Sequence, residues 1–419
     1  MGERNHRFDT MRAVLVFLVV FAHMLEQMPI KGSVYIIIYS FHGYALLFVS
    51  GYFARFSIKK VVNLLVPYAF LQIIFLVGSH IFLSETFVIQ FSTPVWILWY
   101  FLVLAVYLCT VPLLERIDGW WRLLFFFFTV FVSIASGFVD DIGYYLSLSR
   151  ICVFFPFFVA GFYCAKSPTL RRKLTEDHDG HTLPLGDFLI MMCTATVFFL
   201  DVDYRTLYGS YSYMASGSDA VERLFLLFIS FFWIYALFII IPTTEVPFFT
   251  RTGKYTLPVY ALHGFLVLFI GQTVVFRFGD VVNFVIGLIL SVAIVAGLGS
   301  PTVDRFFTWA FQGVGFARHI KKTMTTDDFD TRPSIFRMCV DPQKPYLTRF
   351  ARNDYVNRAK EEVLLGNNKH VSTRIAYKLC EMSVRAPDNI KASSANCQSD
   401  MINRCISPAE PLKRLNQKQ

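Results

Sequence analysis

The segment RFDTMRAVLVFLVVFAHMLE near the start of the chain places two ionisable groups, Arg12 and His23, in an otherwise apolar run. They are 11 residues apart. On an α-helix that spacing leaves the side chains ~20° apart around the axis and ~16 Å apart along it. One face therefore carries a guanidinium near its start and an imidazole about three turns deeper. An imidazole can take a proton from a hydroxyl near neutral pH. A guanidinium offers a planar fork to phosphate or carboxylate. Each also has a plainer use. Arg12 can snorkel to a membrane interface and signal orientation, and His23 can hydrogen-bond a neighbouring helix. An ionisable group is costly in an apolar medium, so it usually faces a cavity or a partner.

Three more histidines fall in or near apolar runs: His42 in SFHGYALLFVSGYF, His80, and His263 in YTLPVYALHGF. His80 stands at a run's end, near water. His42 and His263 serve packing and chemistry equally well. Ser50 and Gly51 are small enough for close helix contact. Arg55, Lys59 and Lys60 follow as a basic cluster, which suits a phosphate-rich ligand and equally suits an orientation signal. No HExxH, GxSxG or Walker segment occurs, and no helix is rich in carboxylates. No metal site is expected. The eight cysteines make no CxxC pair, so neither a zinc site nor a disulfide framework is expected.

The elements that must hold these residues are membrane helices. The chain is 55% hydrophobic and 17% aromatic, with only 16% charged residues. Lipid accommodates that much apolar surface and water does not. The fold class is all-α, a polytopic bundle of about ten spans, each of ~17–25 residues. They fall at 11–28, 33–54, 61–83, 95–114, 121–139, 150–165, 184–201, 221–242, 255–275 and 281–300. With the N-terminus inside, the inner segments up to Lys254 carry 14 Lys and Arg and the outer segments five: Lys31, Arg150, Arg205, Arg223 and Arg277. This follows the positive-inside rule and puts both termini in the cytoplasm of a plasma-membrane protein.

From residue 318 the composition turns polar. Residues 318–419 hold +8 of the net charge of +9, so the membrane body is nearly neutral and nucleic acid is not an expected partner. The expected division is a transmembrane domain over 1–317 and a basic cytoplasmic tail over 318–419. Stretches 355–365 and 372–385 suit short amphipathic helices, and 388–411 suits a loop. A basic tail can also lie on anionic lipid.

Five segments, in order, resemble the acyltransferase-3 family of membrane O-acyltransferases, with its fucose 4-O-acetylase-like branch the nearest likeness. They are RFDTMRAVLVFLVVFAHML, SFHGYALLFVSGYFARFSIKKVVNLLVPY, PVWILWYFLVLAVYL, SRICVFFPFFVAGFY and GKYTLPVYALHGFLV. The resemblance covers about residues 7–300 and implies transfer of an acyl group, usually acetyl, from cytosolic acyl-CoA to a hydroxyl of a glycan or lipid-linked sugar. It implies that Arg12 and His23 are the essential pair. It also implies that Arg55, Lys59 and Lys60, with His42, Ser50 and His263, bind donor or acceptor. Lys stands partly where the family has Arg, and a Lys makes a point contact instead of a fork. Gly43, Tyr44 and Ala45 follow His42 where the family often has Met-Pro-Leu. No permanently bound cofactor is implied. The expected partners are membrane lipid, acetyl-CoA, the sugar acceptor and glycan-assembly proteins. Helices four to ten are expected mainly to enclose the site, with His263 the exception. The rival class is a transporter or flippase, against which stands the lack of an inverted repeat.

Overall fold

The computed structural model describes residues 6–28, 32–83, 90–176, 182–199, 202–273 and 278–312. These residues form α1 (Arg7–Glu26), α2 (Ser33–Tyr39), α3 (His42–Tyr52), α4 (Ile58–Leu83), α5 (Trp99–Leu114), α6 (Trp121–Ala135), α7 (Leu148–Lys166) and α8 (Pro168–Thr175). There follow α9 (Leu183–Phe199), α10 (Tyr204–Leu207), α11 (Tyr213–Ser216), α12 (Ala220–Ile240), α13 (Pro247–Gly253), α14 (Thr256–Thr273), α15 (Asp280–Leu298) and α16 (Pro301–Gln312). No strand occurs among the described residues. Helices dominate because a chain crossing lipid must satisfy its backbone hydrogen bonds within itself.

Each of the ten predicted runs coincides with an apolar helix. Among the described residues, eight helices are long and apolar enough to cross a membrane, and nine if the bent pair α13–α14 counts as one. The short sixth run lengthens into Tyr145–Lys166, a comfortable span, while the seventh is the 17-residue helix Leu183–Phe199. The protein is an integral membrane helix bundle. The tail over 318–419, with its amphipathic stretches and four of the cysteines, lies outside the described residues, as do Lys31 and Arg277. Past the last predicted span, α16 adds a helix that buries Phe307 and exposes Phe306 and Trp309.

The helix carrying Arg12 and His23 lies at the centre. The apolar window of α1 is 72% buried, against 22% for the helix over Trp121–Phe138. Helix α1 packs against α3, α13, α14 and α15. Its Met11, Leu15, Val20 and Met24 are fully enclosed. Helix α6, by contrast, turns Phe127, Phe128 and Phe131 outward. A groove of about 720 Å³ lined by Arg116, Trp121, Leu124, Phe128 and their neighbours lies on this outer face and shares no residue with α1.

Three local features shape the centre. First, α3 and α7 meet through reciprocal glycines. A Cβ on Gly51 would collide with the Phe158 carbonyl, and one on Gly161 with the Phe48 carbonyl. The packing use expected of Gly51 is thus what the helix pair requires. Gly51→Ala is expected to cost about 1–3 kcal/mol by overpacking. Gly78→Ala, on α4 with open space around it, is the neutral control, and thermal unfolding of both in detergent checks the difference.

Second, the second predicted span breaks between α2 and α3, at Ser40 and Phe41. The freed carbonyls find side-chain donors. Ser230 Oγ donates to Ser40 O at 2.7 Å, and His42 Nδ1 donates to Ile38 O at 2.7 Å. Such breaks are tolerated at membrane depth when neighbours supply the missing partners. Third, the chain bends by 87° between α13 and α14. Gly253, at the end of α13, lets that helix sit against the Asp9 carbonyl of α1, where a Cβ has no room.

Candidate active site

His23 ends the polar face of α1 beside a residue that the sequence reading left unused. Three residues on, one turn along the same face, Glu26 Oε2 accepts from His23 Nδ1 at 2.9 Å. The His23 and Glu26 side chains are only 12% and 13% exposed, so the pair is screened from water on most sides.

Glu26 is ringed by donors. Tyr35 and Tyr39 Oη each donate to its Oε1 at 2.7 Å, and Tyr208 Oη reaches the same oxygen at 3.4 Å. Trp96 Nε1 donates to Oε2 at 3.1 Å. Tyr35 and Tyr208 also share a short hydrogen bond. With phenols and an indole converging on it, the carboxyl is an acceptor, and His23 Nδ1 must carry the hydrogen between them. In the neutral imidazole His23 Nε2 is then the lone pair, the form a general base needs. Tyr208 lies outside the spans, and burial, then the Glu26 charge, pushes its phenol well above the usual range. It therefore stays a donor.

The donors come from well-separated parts of the chain. Tyr35 and Tyr39 are one turn apart on α2, and the α2–α3 break puts His42 edge-on to the Tyr39 ring at 4.8 Å. Trp96 opens a 3₁₀ turn, Trp96–Leu98, that feeds α5. Its φ is 42°, a left-handed conformation rare for so bulky a residue and found mostly where function or packing over-determines it. The approach to Trp96 is fixed by Gln72, fully buried on α4. Gln72 Nε2 donates to Gln90 O and Thr93 O at 3.0 and 2.8 Å, and Gln72 Oε1 accepts from Val95 N at 2.9 Å. The Trp96 ring then packs against the His23 ring with centroids 4.7 Å apart.

Tyr208 follows α10. Arg150, from the start of α7, holds this segment by donating to Tyr208 O at 3.1 Å and Ser210 Oγ at 3.3 Å. The same guanidinium lies over the Trp99 and Tyr144 rings. Arg150 and Arg223 were counted with the outer loops in reading orientation. Both are buried, and Arg223 donates to the Tyr211 and Ser133 carbonyls. They hold backbone together instead of meeting water.

His263, on α14, completes the cluster. It is fully buried, and its ring lies 5.5 Å from that of His23 at an interplanar angle of 28°. Gly264 beside it leaves room for Trp96 and Ile97, which a Cβ would crowd. Tyr260 Oη donates to Ile97 O at 2.8 Å, tying α14 to the same turn.

Arg12 sits about three turns away, at the other end of α1. Its guanidinium lies over the Phe53 ring at 4.4 Å and reaches Asp9 Oδ1 at 3.5 Å. Phe53 ends α3 and leads into the exposed turn that bears Arg55, followed by exposed Lys59 and Lys60 at the start of α4. The predicted cations thus share one end of the bundle. Helix α8 adds exposed Arg171, Arg172 and Lys173 there. It is fastened to α1 by buried Arg7, which donates to Leu174 O at 3.0 Å, Glu176 O at 2.7 Å and Ile241 O at 2.7 Å. Ser50 lies one turn inward from Phe53 and is taken up by a 2.8 Å hydrogen bond with Tyr100 Oη. His80 ends α4 on the surface, apart from the cluster.

A family model described as an acyltransferase domain, acyltransferase 3, matches residues 5–299. The chain belongs to the acyltransferase-3 family. The match takes in every residue of the His23 cluster and of the cationic end. No curated protein matches the chain, and no solved structure does. As a member of the acyltransferase-3 family, the protein is a membrane acyltransferase.

The sequence reading brought Arg12, His23, His42 and His263 forward, and missed Glu26, Tyr35, Tyr39, Trp96 and Tyr208. Glu26 had a local signal: a carboxylate three residues after a histidine, both at the end of one apolar helix. Tyr35 and Tyr39 share the four-residue spacing of one helix face. Trp96 lies inside PVWILWYFLVLAVYL, a segment already matched to the family. Tyr208 had no local signal. The chain beyond the third span, expected mainly as enclosure with His263 the exception, supplies Trp96 and Tyr208 as well as His263.

Proposed function

We propose that this acyltransferase-3 protein is an O-acetyltransferase that moves acetyl from cytosolic acetyl-CoA to a hydroxyl of a cell-surface glycan or lipid-linked sugar. The observation that carries the reading is the His23–Glu26 pair, held by phenol and indole donors at the inner end of α1's polar face, with the cations at the other end. The acetyl-CoA phosphates would bind Arg12, Arg55, Lys59 and Lys60, where α8 adds further positive charge. The thioester would then extend along the polar face of α1 toward His23. His23 Nε2 would take the proton of the acceptor hydroxyl as its oxygen attacks the thioester carbonyl, and CoA thiolate would leave. Glu26 compensates the imidazolium and keeps Nδ1 protonated. Direct transfer needs no covalent acyl-histidine and no permanently bound cofactor.

The fucose 4-O-acetylase-like likeness of the early segments favours a hexose acceptor. Orientation follows from charge. Arg150 and Arg223 are buried, so the exposed positive charge concentrates further on the Arg12 end, and the positive-inside rule puts that end and both termini in the cytoplasm of the plasma membrane. The partners in this reading are membrane lipid, acetyl-CoA, the sugar acceptor and proteins that assemble the glycan.

The test has two arms. Purified full-length protein in nanodiscs should release CoA from acetyl-CoA in a His23-dependent way. Cells with the gene should carry surface glycans heavier by one acetyl per modified residue than cells without it. In the purified system, Arg12→Ala is expected to raise KM for acetyl-CoA about tenfold, and more at low salt, because a charge-assisted phosphate contact is lost. Identical glycan masses, together with no CoA release, would overturn the reading.

A further inference from the structure

One polar atom near the base is left over. His263 Nδ1 lies 3.0 Å from Val259 O and 2.8 Å from Tyr260 O, so it donates, and in the neutral imidazole the other nitrogen accepts. Its Nε2 is therefore a lone pair. Nε2 is buried, on a residue with 0% exposure, and has no hydrogen-bond partner among the described residues. Buried acceptors are nearly always satisfied, and an exception calls for an explanation. This exception stands beside the base, on a ring 5.5 Å from that of His23.

The two imidazoles differ in what backs them. His23 Nδ1 faces a carboxylate, which compensates a positive charge on the ring. His263 Nδ1 faces only carbonyl dipoles. The ring with no carboxylate behind it, His263, is therefore the one suited to act as a hydrogen-bond acceptor. It needs a ligand that donates. The reacting end of the donor substrate cannot do so, because a thioester offers a carbonyl oxygen, a sulfur and a methyl group, and no N–H or O–H. The attacked hydroxyl is already committed to His23.

From this we infer that His263 Nε2 receives a second hydroxyl of the acceptor, and that the enzyme is built for a vicinal diol, with one hydroxyl on His23 and its neighbour on His263. The inference rests on the O-acetyl transfer reading above and narrows its substrate class. A pyranose ring with adjacent free hydroxyls meets the requirement, and a simple alcohol does not. A site made to hydrogen-bond a hydroxyl discriminates strongly against an analogue that lacks it, because its own polar group is left unpaired. His263 is a specificity residue in this scheme, since it moves no proton.

Cyclohexanol, cis-1,2-cyclohexanediol and trans-1,2-cyclohexanediol serve as probes, with acetyl-CoA and the full chain in nanodiscs. The O-acetyl product is measured by mass spectrometry. The wild-type protein is expected to favour at least one diol over cyclohexanol by about tenfold or more in kcat/KM, after the statistical factor for two hydroxyls. His263→Phe keeps an aromatic ring but removes the acceptor nitrogen. It is expected to bring that ratio close to unity. His263→Gln retains an acceptor oxygen and should restore part of the preference.

A wild-type protein indifferent to the second hydroxyl would overturn the inference, and that comparison needs no variant. So would a folded His263→Phe protein that keeps the preference. Hydrolytic CoA release, lost in His23→Ala, reports on the transfer reading separately. Intact release with no diol preference sinks the inference alone, and absence of release together with identical glycan masses sinks both.

Discussion

Replacing His23 with alanine is expected to lower acyl transfer by about 10²–10⁴-fold, the usual range for a general base. The loss should fall on kcat, because His23 lies about three turns from the cations assigned to the donor phosphates. The fold should survive. Among the described residues His23 makes polar contacts to Glu26 and Tyr39, and Glu26 keeps Tyr35, Tyr39 and Trp96 as donors when the imidazole is gone. No carboxylate is left bare, so the large penalty of an unpaired buried charge does not arise. The measurement is transfer to a glycan or diol acceptor by purified protein, paired with a thermal unfolding midpoint. A variant that folds like the wild type and transfers within about threefold of it would remove His23 from the chemistry.

The second large effect belongs to Glu26. Glu26→Gln is nearly isosteric and leaves the neighbouring residues in place, but it exchanges a carboxylate for an amide. The imidazolium formed in the transition state then loses its compensating charge. An amide can also present N–H₂ to Nδ1, which favours the wrong tautomer and puts the hydrogen on Nε2, where the base must be. A matching Asp→Asn change in serine-protease triads costs about 10⁴-fold for this reason. A loss of about 10²–10⁴-fold in kcat is expected here, with KM for acetyl-CoA unchanged within about threefold. Glu26→Ala is the less informative variant. It strands several buried donors, each at a cost of about 1–3 kcal/mol, and so mixes instability with lost activity. Steady-state kinetics and unfolding midpoints of both variants separate the effects. Full activity in Glu26→Gln would show that the carboxylate holds helices together and does not act on His23.

Both predictions depend on a neighbourhood that was only partly legible beforehand. His23 stood out because a titratable side chain in an apolar helix is conspicuous at any reading distance. Glu26 was equally local, one turn away, but looked like the charged end of a span. His42 shows the reverse case. Its nearest polar contact is the Ile38 carbonyl four residues back, and its visible work is to close the α2–α3 break. The break itself was hidden, because hydropathy is blind to a change of direction inside an apolar run. Ser50 looked like a site residue by likeness, and its hydroxyl is engaged with Tyr100. Arg150 and Arg223 looked like loop charges, because charge counting cannot distinguish a guanidinium in water from one that binds carbonyls.

What the amino-acid sequence determined alone is the class of molecule, the order of its apolar helices, and the pairing of Arg12 with His23 on one face. These follow from hydropathy over windows of one span and from the pitch of a single helix, and both are local properties. The tertiary structure alone decided which groups surround the base. Trp96, Tyr208 and His263 come from elements 70 to 240 residues beyond His23, brought in by the Gln72-held loop, by Arg150 and by the close packing that Gly264 permits. No periodicity records such meetings, because they depend on how whole helices pack. The lone pair of His263 belongs to the same category: the residue was visible in the sequence, but only packing left its nitrogen buried beside the base with no partner among the described residues.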